Sequence, residues 1–246
     1  MARLKTIRLG KFKFTFKNFT EFILLYMGIY LLGRYKFSTE KEDPIIIDCG
    51  SHIGISILSF KGQCPKSKII GFEPNLETFK ILERNVKQNN LRDVELINAV
   101  VGNKEGSIDF YINMKDSWSW DNSILKTWSI KNEFKKVKAK SVRLSKYLNR
   151  EVDLLKLNIE GSEGLVMKEI TSKLKNVKEI YLHYHSRSNN QSNNLDEIFK
   201  ILDRNSYIYT IKQLRGFGIL KTVTKSTINK RGQYFLFIHA KRKQND

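Results

Sequence analysis

The sequence predicts an α/β fold: a mainly parallel sheet with helices on both faces and an antiparallel strand at the C-terminal end. Short runs rich in Ile, Val and Leu recur along the chain, and such runs are typical of strands that are buried on both faces. Segments with apolar residues at helical spacing lie between these runs. Strands that alternate with helices indicate a parallel sheet that is covered on both sides.

These patterns divide most of the chain into elements. We expect strands at residues 45–47, 68–72, 94–101, 137–142, 152–159 and 177–185, and a hairpin strand at 107–112 that pairs with 94–101. Helices are expected to start at Ile55, to span residues 76–89, to follow residue 163 and to begin near Leu195. The last two strands, residues 207–211 and 233–240, are predicted to be antiparallel neighbours.

Length and composition suit one α/β domain. The chain has 246 residues, of which 41% are hydrophobic, and this is enough for a sizeable core. Its two cysteines, Cys49 and Cys64, do not have the spacing of a metal site and are too few for a secreted disulfide framework. We therefore expect a reducing, cytoplasmic location.

The formal net charge of +19 is large. A charge of this size attracts anions such as nucleic acid, anionic lipid or acidic glycan. A lysine-rich solvated surface without a specific partner explains the same charge, so the charge alone does not favour nucleic acid as a partner.

Residues 1–43 are predicted to form a basic leader and a helix that packs on the main domain, residues 44–246. Residues 22–32 are the most apolar stretch, but they are too few to span a bilayer, and no small-residue cleavage site follows them. Phe12, Phe14 and Phe16 alternate with lysines, which suits either a short amphipathic strand or a membrane-surface contact. We favour packing against the protein, with peripheral contact at the inner membrane surface as the alternative.

One strand-to-helix turn organises the predicted site. The strand at 45–47 ends in Asp48 and Gly50, and Gly54 follows four residues later. Gly50 permits a tight turn and a close approach of a ligand to the backbone. A dinucleotide-binding turn has glycine in the place of Asp48, since its pyrophosphate lies there. The acid therefore favours a ligand that carries positive charge.

Polar residues also follow the next two strands, at the edge where parallel sheets bind ligands. Glu73 suits hydrogen bonds from a ribose diol, and Asn98 and Ala99 are placed near an adenine edge. S-adenosylmethionine carries a ribose diol, an ammonium and a sulfonium, but no pyrophosphate, so it is the predicted cofactor. The alternative is that Asp48 caps the following helix and Glu73 is a solvated loop acid. The predicted cofactor contacts are Asp48, Gly50, Ser51, His52, Gly54, Glu73, Pro74, Asn98 and Ala99.

Four segments in this order resemble the FkbM-type methyltransferases: DCGSHIG (48–54), GFEPN (71–75), NAVVG (98–102) and DLLKLNIEGSE (153–163). The resemblance covers roughly residues 44–185. It implies the Rossmann-like class I methyltransferase fold, S-adenosylmethionine as cofactor, and methylation of a hydroxyl oxygen, often on a sugar or natural product. The chain departs from the family pattern at His52, Asn158 and His183, where the family usually has Asn, Asp and Glu.

Methyl transfer to a hydroxyl needs a group that takes the proton from this poor nucleophile. The first candidate is His185, because an unperturbed imidazole titrates near neutral pH. The second candidates are Glu160 and Glu163, which follow the strand at 152–159 together with Asn158. For each, a structural role is the alternative: a hydrogen-bonded core histidine, or an acid favoured by a helix N-terminus. A metal held by these four residues is a weaker alternative, and the predicted site has none.

An irregular segment at residues 114–130 holds Trp118, Trp120 and Trp128. We interpret it as an insertion that either forms a lid over the acceptor or covers the sheet edge.

The predicted activity is S-adenosylmethionine-dependent O-methylation of a sugar, glycan or other small molecule. The positive charge keeps an RNA methyltransferase as an alternative, although the Asn-Pro-Pro-Tyr motif of base N-methylating enzymes is absent after the strand at 152–159. A non-catalytic scaffold is the third possibility, since Asn158 and His183 depart from the family pattern.

Overall fold

The structure is a computed structural model that describes residues 3–114, 122–124, 134–186, 193–215, 219–228 and 234–243. Trp118, Trp120 and Trp128 lie outside the described residues, as does most of the predicted insertion at 114–130. The lid interpretation therefore stays a prediction.

The described residues form thirteen strands and five α-helices. The strands are β1 (Lys5–Leu9), β2 (Phe12–Phe16), β3 (Ile45–Cys49), β4 (Lys68–Phe72), β5 (Val94–Ile97), β6 (Val100–Gly102), β7 (Gly106–Asn113), β8 (Phe134–Arg143), β9 (Val152–Leu157), β10 (Val177–Ser186), β11 (Tyr207–Arg215), β12 (Ile219–Val223) and β13 (Tyr234–Arg242). The α-helices are α1 (Phe19–Tyr26), α2 (Ile55–Gln63), α3 (Leu76–Gln88), α4 (Glu163–Glu169) and α5 (Leu195–Arg204). A π-helical turn (Met27–Leu31) and 3₁₀ turns at Leu144–Tyr147, Thr171–Asn176 and Lys225–Thr227 complete them.

Eight strands form the main sheet, in the order β12-β11-β13-β10-β9-β3-β4-β5. The strands from β10 to β5 are parallel, and β13, β11 and β12 continue the sheet as antiparallel strands. This confirms the predicted α/β fold and its antiparallel C-terminal end. β11 and β13 are neighbours as expected, whereas β12 was not predicted.

The two faces of the main sheet have separate cores. On one face, α4 and α5 pack on the sheet through side chains such as Met167 and Ile198. On the other, α2, α3 and the N-terminal segment pack through Phe14, Phe60 and Leu82. Burial on both faces is the reason why the central strands read as apolar runs instead of alternating ones.

The N-terminal segment begins with a hairpin of β1 and β2. Phe12, Phe14 and Phe16 of β2 are buried in the core that they share with α2 and α3. The edge of β2 is held by side chains of α3: Asn85 Oδ1 accepts from the Thr15 N–H (2.7 Å), and Asn85 Nδ2 donates to the Thr15 carbonyl oxygen (2.9 Å). These phenylalanines therefore face the protein, and a membrane contact has to use other side chains.

The apolar stretch at residues 22–32 differs from the single helix expected. The α-helix begins at the N-cap Asn18, whose Oδ1 accepts from the Glu21 N–H (3.1 Å), and it ends at Tyr26. The chain continues as a π-helical turn that contains Gly28, where a Cβ would lie 2.6 Å from Cζ of Arg34. A residue larger than glycine at position 28 would therefore clash with the Arg34 side chain. No described helix combines the length and apolar character needed to cross a bilayer.

The expectation for residues 94–112 was wrong in two respects. The predicted strand at 94–101 is broken at Asn98, because β5 stays in the main sheet and β6 joins a second sheet of order β6-β8-β7. The predicted hairpin partner of residues 107–112 is β8, not the strand at 94–101. The Ala99 N–H donates to the carbonyl oxygen of Ile97 (3.0 Å), and this tight turn redirects the chain.

Candidate functional site

The candidate site is a cleft at the carboxyl ends of the parallel strands. It lies where the strand order reverses, between β3 and β9, which is where open α/β sheets bind ligands. Its volume is about 710 Å³ including the open mouth. Seven predicted site residues line it: Gly50, His52, Glu73, Pro74, Ala99, Asn158 and Glu160.

The other predicted site residues are not part of this lining. They are Asp48, Ser51, Gly54, Asn98, Glu163 and His185. Their contacts, described below, show that most of them support residues that do line the cleft.

The turn after β3 brings the backbones of two strands close together. Gly50 has a φ of +80°, and a Cβ at this position would lie 2.0 Å from the backbone oxygen of Asn158. Only glycine combines this conformation with such a close approach. Ser51 Oγ donates to the Asp48 carbonyl oxygen (2.9 Å), and Gly54 precedes α2 with a φ of +87°. Ser51 and Gly54 thus fix the turn, while Gly50 faces the cleft.

Asp48 lies beneath this turn and is fully buried. Its Oδ1 is 2.8 Å from Nζ of Lys156 on β9, and its Oδ2 accepts a hydrogen bond from Ser56 Oγ (2.5 Å). Lys156 Nζ also donates to the carbonyl oxygen of Gly50 (2.7 Å). Burial disfavours the charged form of Lys156, but the Asp48 carboxylate and other nearby groups outweigh it and raise the pKa of Lys156.

This geometry corrects the role expected for Asp48. We expected its carboxylate to meet the positive end of the cofactor, but its charge is balanced by Lys156 and it does not line the cleft. The pair instead ties the Gly50 turn to β9. Lys156 was missed, and the signal that could have found it is a lysine inside the otherwise apolar end of β9.

Glu73 lines the cleft and is only 7% exposed. Its Oε2 accepts from the His52 N–H (2.9 Å) and its Oε1 from the Asn75 N–H (2.9 Å). Burial raises the pKa of Glu73, although His52 and these two hydrogen bonds act in the opposite direction. Each carboxylate oxygen retains a lone pair, so the group can accept hydrogen bonds from two neighbouring hydroxyls.

Asn98 supports the Glu73 turn from behind. Its Nδ2 donates to the carbonyl oxygens of Glu73 (2.8 Å) and Pro74 (3.1 Å). We expected Asn98 to contact an adenine edge, but it does not line the cleft. Ala99, Val100 and Val101 line that part of the cleft instead. The side-chain amide is used to shape the turn.

The turn after β9 forms the opposite wall. The Asn158 N–H donates to the Cys49 carbonyl oxygen (3.1 Å), and Asn158 Oδ1 is buried and accepts no hydrogen bond from the described residues. A buried acceptor of this kind usually has a partner, so a ligand donor is the natural one. Glu160 adopts a φ of +54°, and its carbonyl oxygen accepts from Ser123 Oγ (2.7 Å).

His185 lies between two carboxylates. Its Nδ1 is 2.9 Å from Glu163 Oε1, and its Nε2 is 3.3 Å from Glu160 Oε1. The side chains of Glu163 and His185 are 0% and 4% exposed, whereas that of Glu160 is 17% exposed and lines the cleft. The three residues thus form a chain from the core to the cleft, in which Glu160 and not His185 is at the open end.

Asn193 fixes this chain and was missed. Its Nδ2 donates to Glu163 Oε2 (2.9 Å) and to the His185 carbonyl oxygen (2.8 Å). Its Oδ1 accepts from the Gly164 N–H (2.7 Å). Glu163 also accepts from the Gly161 N–H at both oxygens (3.1 Å each). No sequence pattern points to Asn193, because it follows a polar loop without periodicity.

His183 does not reach the cleft. Its ring stacks on Phe237 of β13 with centroids 4.0 Å apart. Burial, together with the positive charges of His185, Arg34 and Lys156, holds the pKa of His183 well below its ordinary value. Among the described residues, no group of three His, Cys, Asp or Glu side chains could hold a metal ion.

Comparisons with known proteins identify the family of this chain. The family model "Methyltransferase FkbM domain" matches residues 48–209. "Methyltransferase 1" of Beauveria bassiana is 27% identical over 166 residues, 60% of this chain and 67% of that protein. "2-O-methyltransferase NoeI" of Sinorhizobium fredii is 24% identical over 159 residues, 59% of this chain and 65% of that protein.

A solved structure is also similar. The FkbM methyltransferase from Methylobacillus flagellatus KT superposes with a TM-score of 0.52 at 14% identity, over 86% of this chain and 47% of that one. This chain therefore spans about half of that protein, and the likeness concerns the fold. The family model covers more than half of the 246 residues. The chain thus belongs to the FkbM methyltransferase family, and its cofactor is S-adenosylmethionine.

Proposed function

We propose that the protein is an O-methyltransferase that acts on a hydroxyl of a sugar, glycan or other small molecule, and that residues 44–246 carry this activity. The observation that carries the proposal is the chain Glu163–His185–Glu160, which leads from the core to the cleft opposite Glu73. A carboxylate at the cleft can act as the base that takes the proton of a hydroxyl acceptor.

The residues of the cleft fit the cofactor. The buried Oδ1 of Asn158 lacks a donor among the described residues, and the cofactor ammonium is such a donor. Glu73 presents carboxylate lone pairs for the ribose diol, and Gly50 leaves room for close approach to the backbone. When bound here, S-adenosylmethionine supplies a methyl group that its sulfonium already activates.

The two carboxylate contacts of His185 define the roles of the two acids: Glu163 is hydrogen-bonded to Nδ1 (2.9 Å), and Glu160 lies 3.3 Å from Nε2. A neutral imidazole carries a proton on one nitrogen only, so attractive contacts of both ring nitrogens with carboxylates require the imidazolium form. An imidazolium has no lone pair for the acceptor proton. We therefore assign proton acceptance to Glu160, and we assign to His185 and Glu163 the positioning of its carboxylate. This revises the expectation that His185 is the first candidate for the base.

Acceptance of the proton balances the reaction. The acceptor hydroxyl loses its proton to a carboxylate oxygen of Glu160 while its own oxygen gains the methyl group. The positive His185 beside Glu160 then favours release of that proton to solvent through the open mouth. The name of the Sinorhizobium relative, a 2-O-methyltransferase, supports an oxygen acceptor.

Calorimetry tests the first half of the proposal. We expect S-adenosylmethionine to bind the purified protein with an affinity on the order of micromolar, a common range for small-molecule ligands. S-adenosylhomocysteine, which lacks the methyl group, should bind the same site. Folded protein that gives no binding heat with either compound contradicts the proposal.

A labelled-methyl assay tests the second half. The protein is incubated with methyl-labelled cofactor and an extract of its source cells, and the labelled product is identified by mass spectrometry. We expect label on an oxygen of a small molecule or glycan. Label that disappears after ribonuclease treatment supports the RNA alternative, which the net charge of +19 keeps open. Cofactor binding without any labelled product supports the scaffold alternative.

A further inference from the structure

The outer surface of α1 and the following π-helical turn is apolar instead of polar. Leu24 is 49% exposed, Met27 44% and Leu31 67%. Their spacing of three and four residues places them on one side of the helix. Surface helices normally carry charged or polar residues on the side away from the core. We call Leu24, Met27 and Leu31 the outer apolar face.

This face is the main concentration of exposed apolar side chains in the described part of the chain. The described part of the chain has nine exposed large apolar residues, and five of them lie within residues 19–32. Phe19 (54%) and Leu32 (64%) are the two beyond the outer apolar face. Single exposed apolar residues need no explanation, but a cluster of this kind marks an interaction surface.

The chain segment that carries this face is strongly basic. Residues 3–36 contain eight Lys and Arg residues and one acid, Glu21. Glu21 does not offset them at the surface, since its side chain is 11% exposed and its Oε1 lies 3.6 Å from Nε2 of His52. Six exposed basic residues of this segment form no ion pair with any described residue: Arg3, Lys5, Arg8, Lys11, Lys13 and Lys36.

We propose that this segment docks the protein on an anionic bilayer. The outer apolar face inserts at the boundary between headgroups and acyl chains, and the exposed basic residues of the same segment bind the anionic headgroups. The alternation of Phe12, Phe14 and Phe16 is not the anchor, because these side chains are buried in the protein. Leu25, which follows Leu24 in α1, lines the cleft, so docking places the cleft next to the membrane surface.

Vesicle co-sedimentation tests the proposal with the full chain. We expect binding to vesicles of phosphatidylcholine and phosphatidylglycerol in equal parts, and little binding to phosphatidylcholine alone. Binding to the mixed vesicles should weaken at high salt, because the attraction between surface charges is screened. The triple variant Leu24→Gln, Met27→Gln, Leu31→Gln should bind mixed vesicles on the order of tenfold more weakly, because it loses the inserted apolar surface.

A matched variant controls for loss of apolar surface in general. Leu76 (55% exposed) and Ile208 (61%) lie outside the segment, and Leu76→Gln, Ile208→Gln should bind vesicles as the wild type does. Circular dichroism and the melting temperature establish that both variants are folded. This proposal does not rest on methyl transfer, so its test is independent of the assays above.

Three outcomes overturn the proposal. One is a wild type that binds neither kind of vesicle, and another is a triple variant that binds mixed vesicles as well as the wild type does. The third is a wild-type dimer, detected by sedimentation velocity, that the triple variant abolishes. That result assigns the outer apolar face to a second copy of the chain.

Discussion

Two acidic clusters lie near the cleft, and they differ in how their charges are balanced. Asp48 meets one cation, Lys156, and both side chains are at most 3% exposed. His185 meets two acids, Glu163 and Glu160, and the second of these is 17% exposed at the cleft. The first cluster is a closed pair that shapes a turn. The second, which consists of Glu163, His185 and Glu160 and which we call the open cluster, has an acid in excess, and that acid reaches the cleft.

The difference shows that the position of an acid at the end of a strand does not determine its role. Asp48 lies at the carboxyl end of β3 and Glu160 follows β9 of the same sheet, and both belong to segments that resemble the family. Their partners decide their roles. The Asp48 carboxylate is paired with a buried lysine and does not reach the cleft, whereas the Glu160 carboxylate lies beside an imidazole and lines the cleft.

The largest expected effect is on turnover in Glu160→Gln. The amide keeps the shape of the side chain but cannot take a proton, so we expect kcat to fall about 10²–10⁴-fold, the usual contribution of a positioned base. Cofactor affinity should stay near that of the wild type, because Glu73, Gly50 and Asn158 are unchanged. The measurement is the rate of label transfer to the acceptor identified in the extract.

Glu179→Gln is the matched control for this variant. Glu179 also contacts an imidazole, with Oε1 2.6 Å from Nε2 of His239, but it does not line the cleft. Its turnover per folded molecule should equal that of the wild type. If Glu160→Gln retains full turnover, the open cluster is structural and the comparison with Asp48 fails.

The next effect is on stability in Asp48→Asn. This variant leaves the ammonium of Lys156 buried without its carboxylate, which should cost about 3–5 kcal/mol of the free energy of unfolding. Urea denaturation measures the loss. Asp109→Asn is the control, because Asp109 pairs with Lys136 and Lys138 at the surface and its loss should matter far less.

A double variant sharpens the interpretation. In Asp48→Leu, Lys156→Met the buried charges are both absent, so a large part of the stability should return. A double variant no more stable than Asp48→Asn indicates that the Lys156 contact with the Gly50 carbonyl, and not charge balance, is the essential interaction.

The sequence predicts the strands of this fold well because a strand that is buried on both faces is a continuous run of apolar residues. The runs at β3, β4 and β9 are apolar because helices cover both sides. No local sequence pattern indicates the pairing of Asp48 with Lys156. It depends on β9 lying beside β3 with these two residues in register, a contact between residues far apart in the chain. The same limit applies to Asn98. Its side-chain amide donates to two carbonyl oxygens that lie near it only in the folded turn.

A smaller effect is expected on cofactor affinity in Glu73→Gln. Hydrogen bonds to a charged group contribute about 1.5–3 kcal/mol, so affinity should fall roughly 10–100-fold by calorimetry. Glu77→Gln, an exposed neighbour in the first turn of α3, should bind as the wild type does. Equal affinity of both variants removes Glu73 from the cofactor site.

The pH dependence of binding follows from the raised pKa of Glu73. Because burial favours its neutral form, Glu73 should take up a proton at a pH above 4.5 when the cleft is empty. Wild-type affinity should therefore begin to fall above that pH as the solution is acidified. In Glu73→Gln this part of the pH dependence should be absent.

The smallest effect concerns His183, which lies beside the open cluster without joining it. The folded protein keeps its imidazole neutral, because burial and the nearby positive groups hold its pKa well below 6.5. The unfolded chain binds a proton near pH 6.5, so this residue costs stability as the pH falls through that value. The slope from His183 is at most about 1.4 kcal/mol per pH unit.

The variant His183→Phe isolates this contribution. Phenylalanine can stack on Phe237 but cannot titrate, so the free energy of unfolding should fall less steeply below pH 6.5 than in the wild type. Above pH 6.5 the two stability curves should run parallel, because neutral His183 contributes no pH dependence there. Urea denaturation over this pH range measures both slopes. Equal slopes on the acid side would mean that His183 is protonated in the folded protein, and that the positive charge of the open cluster extends beyond His185.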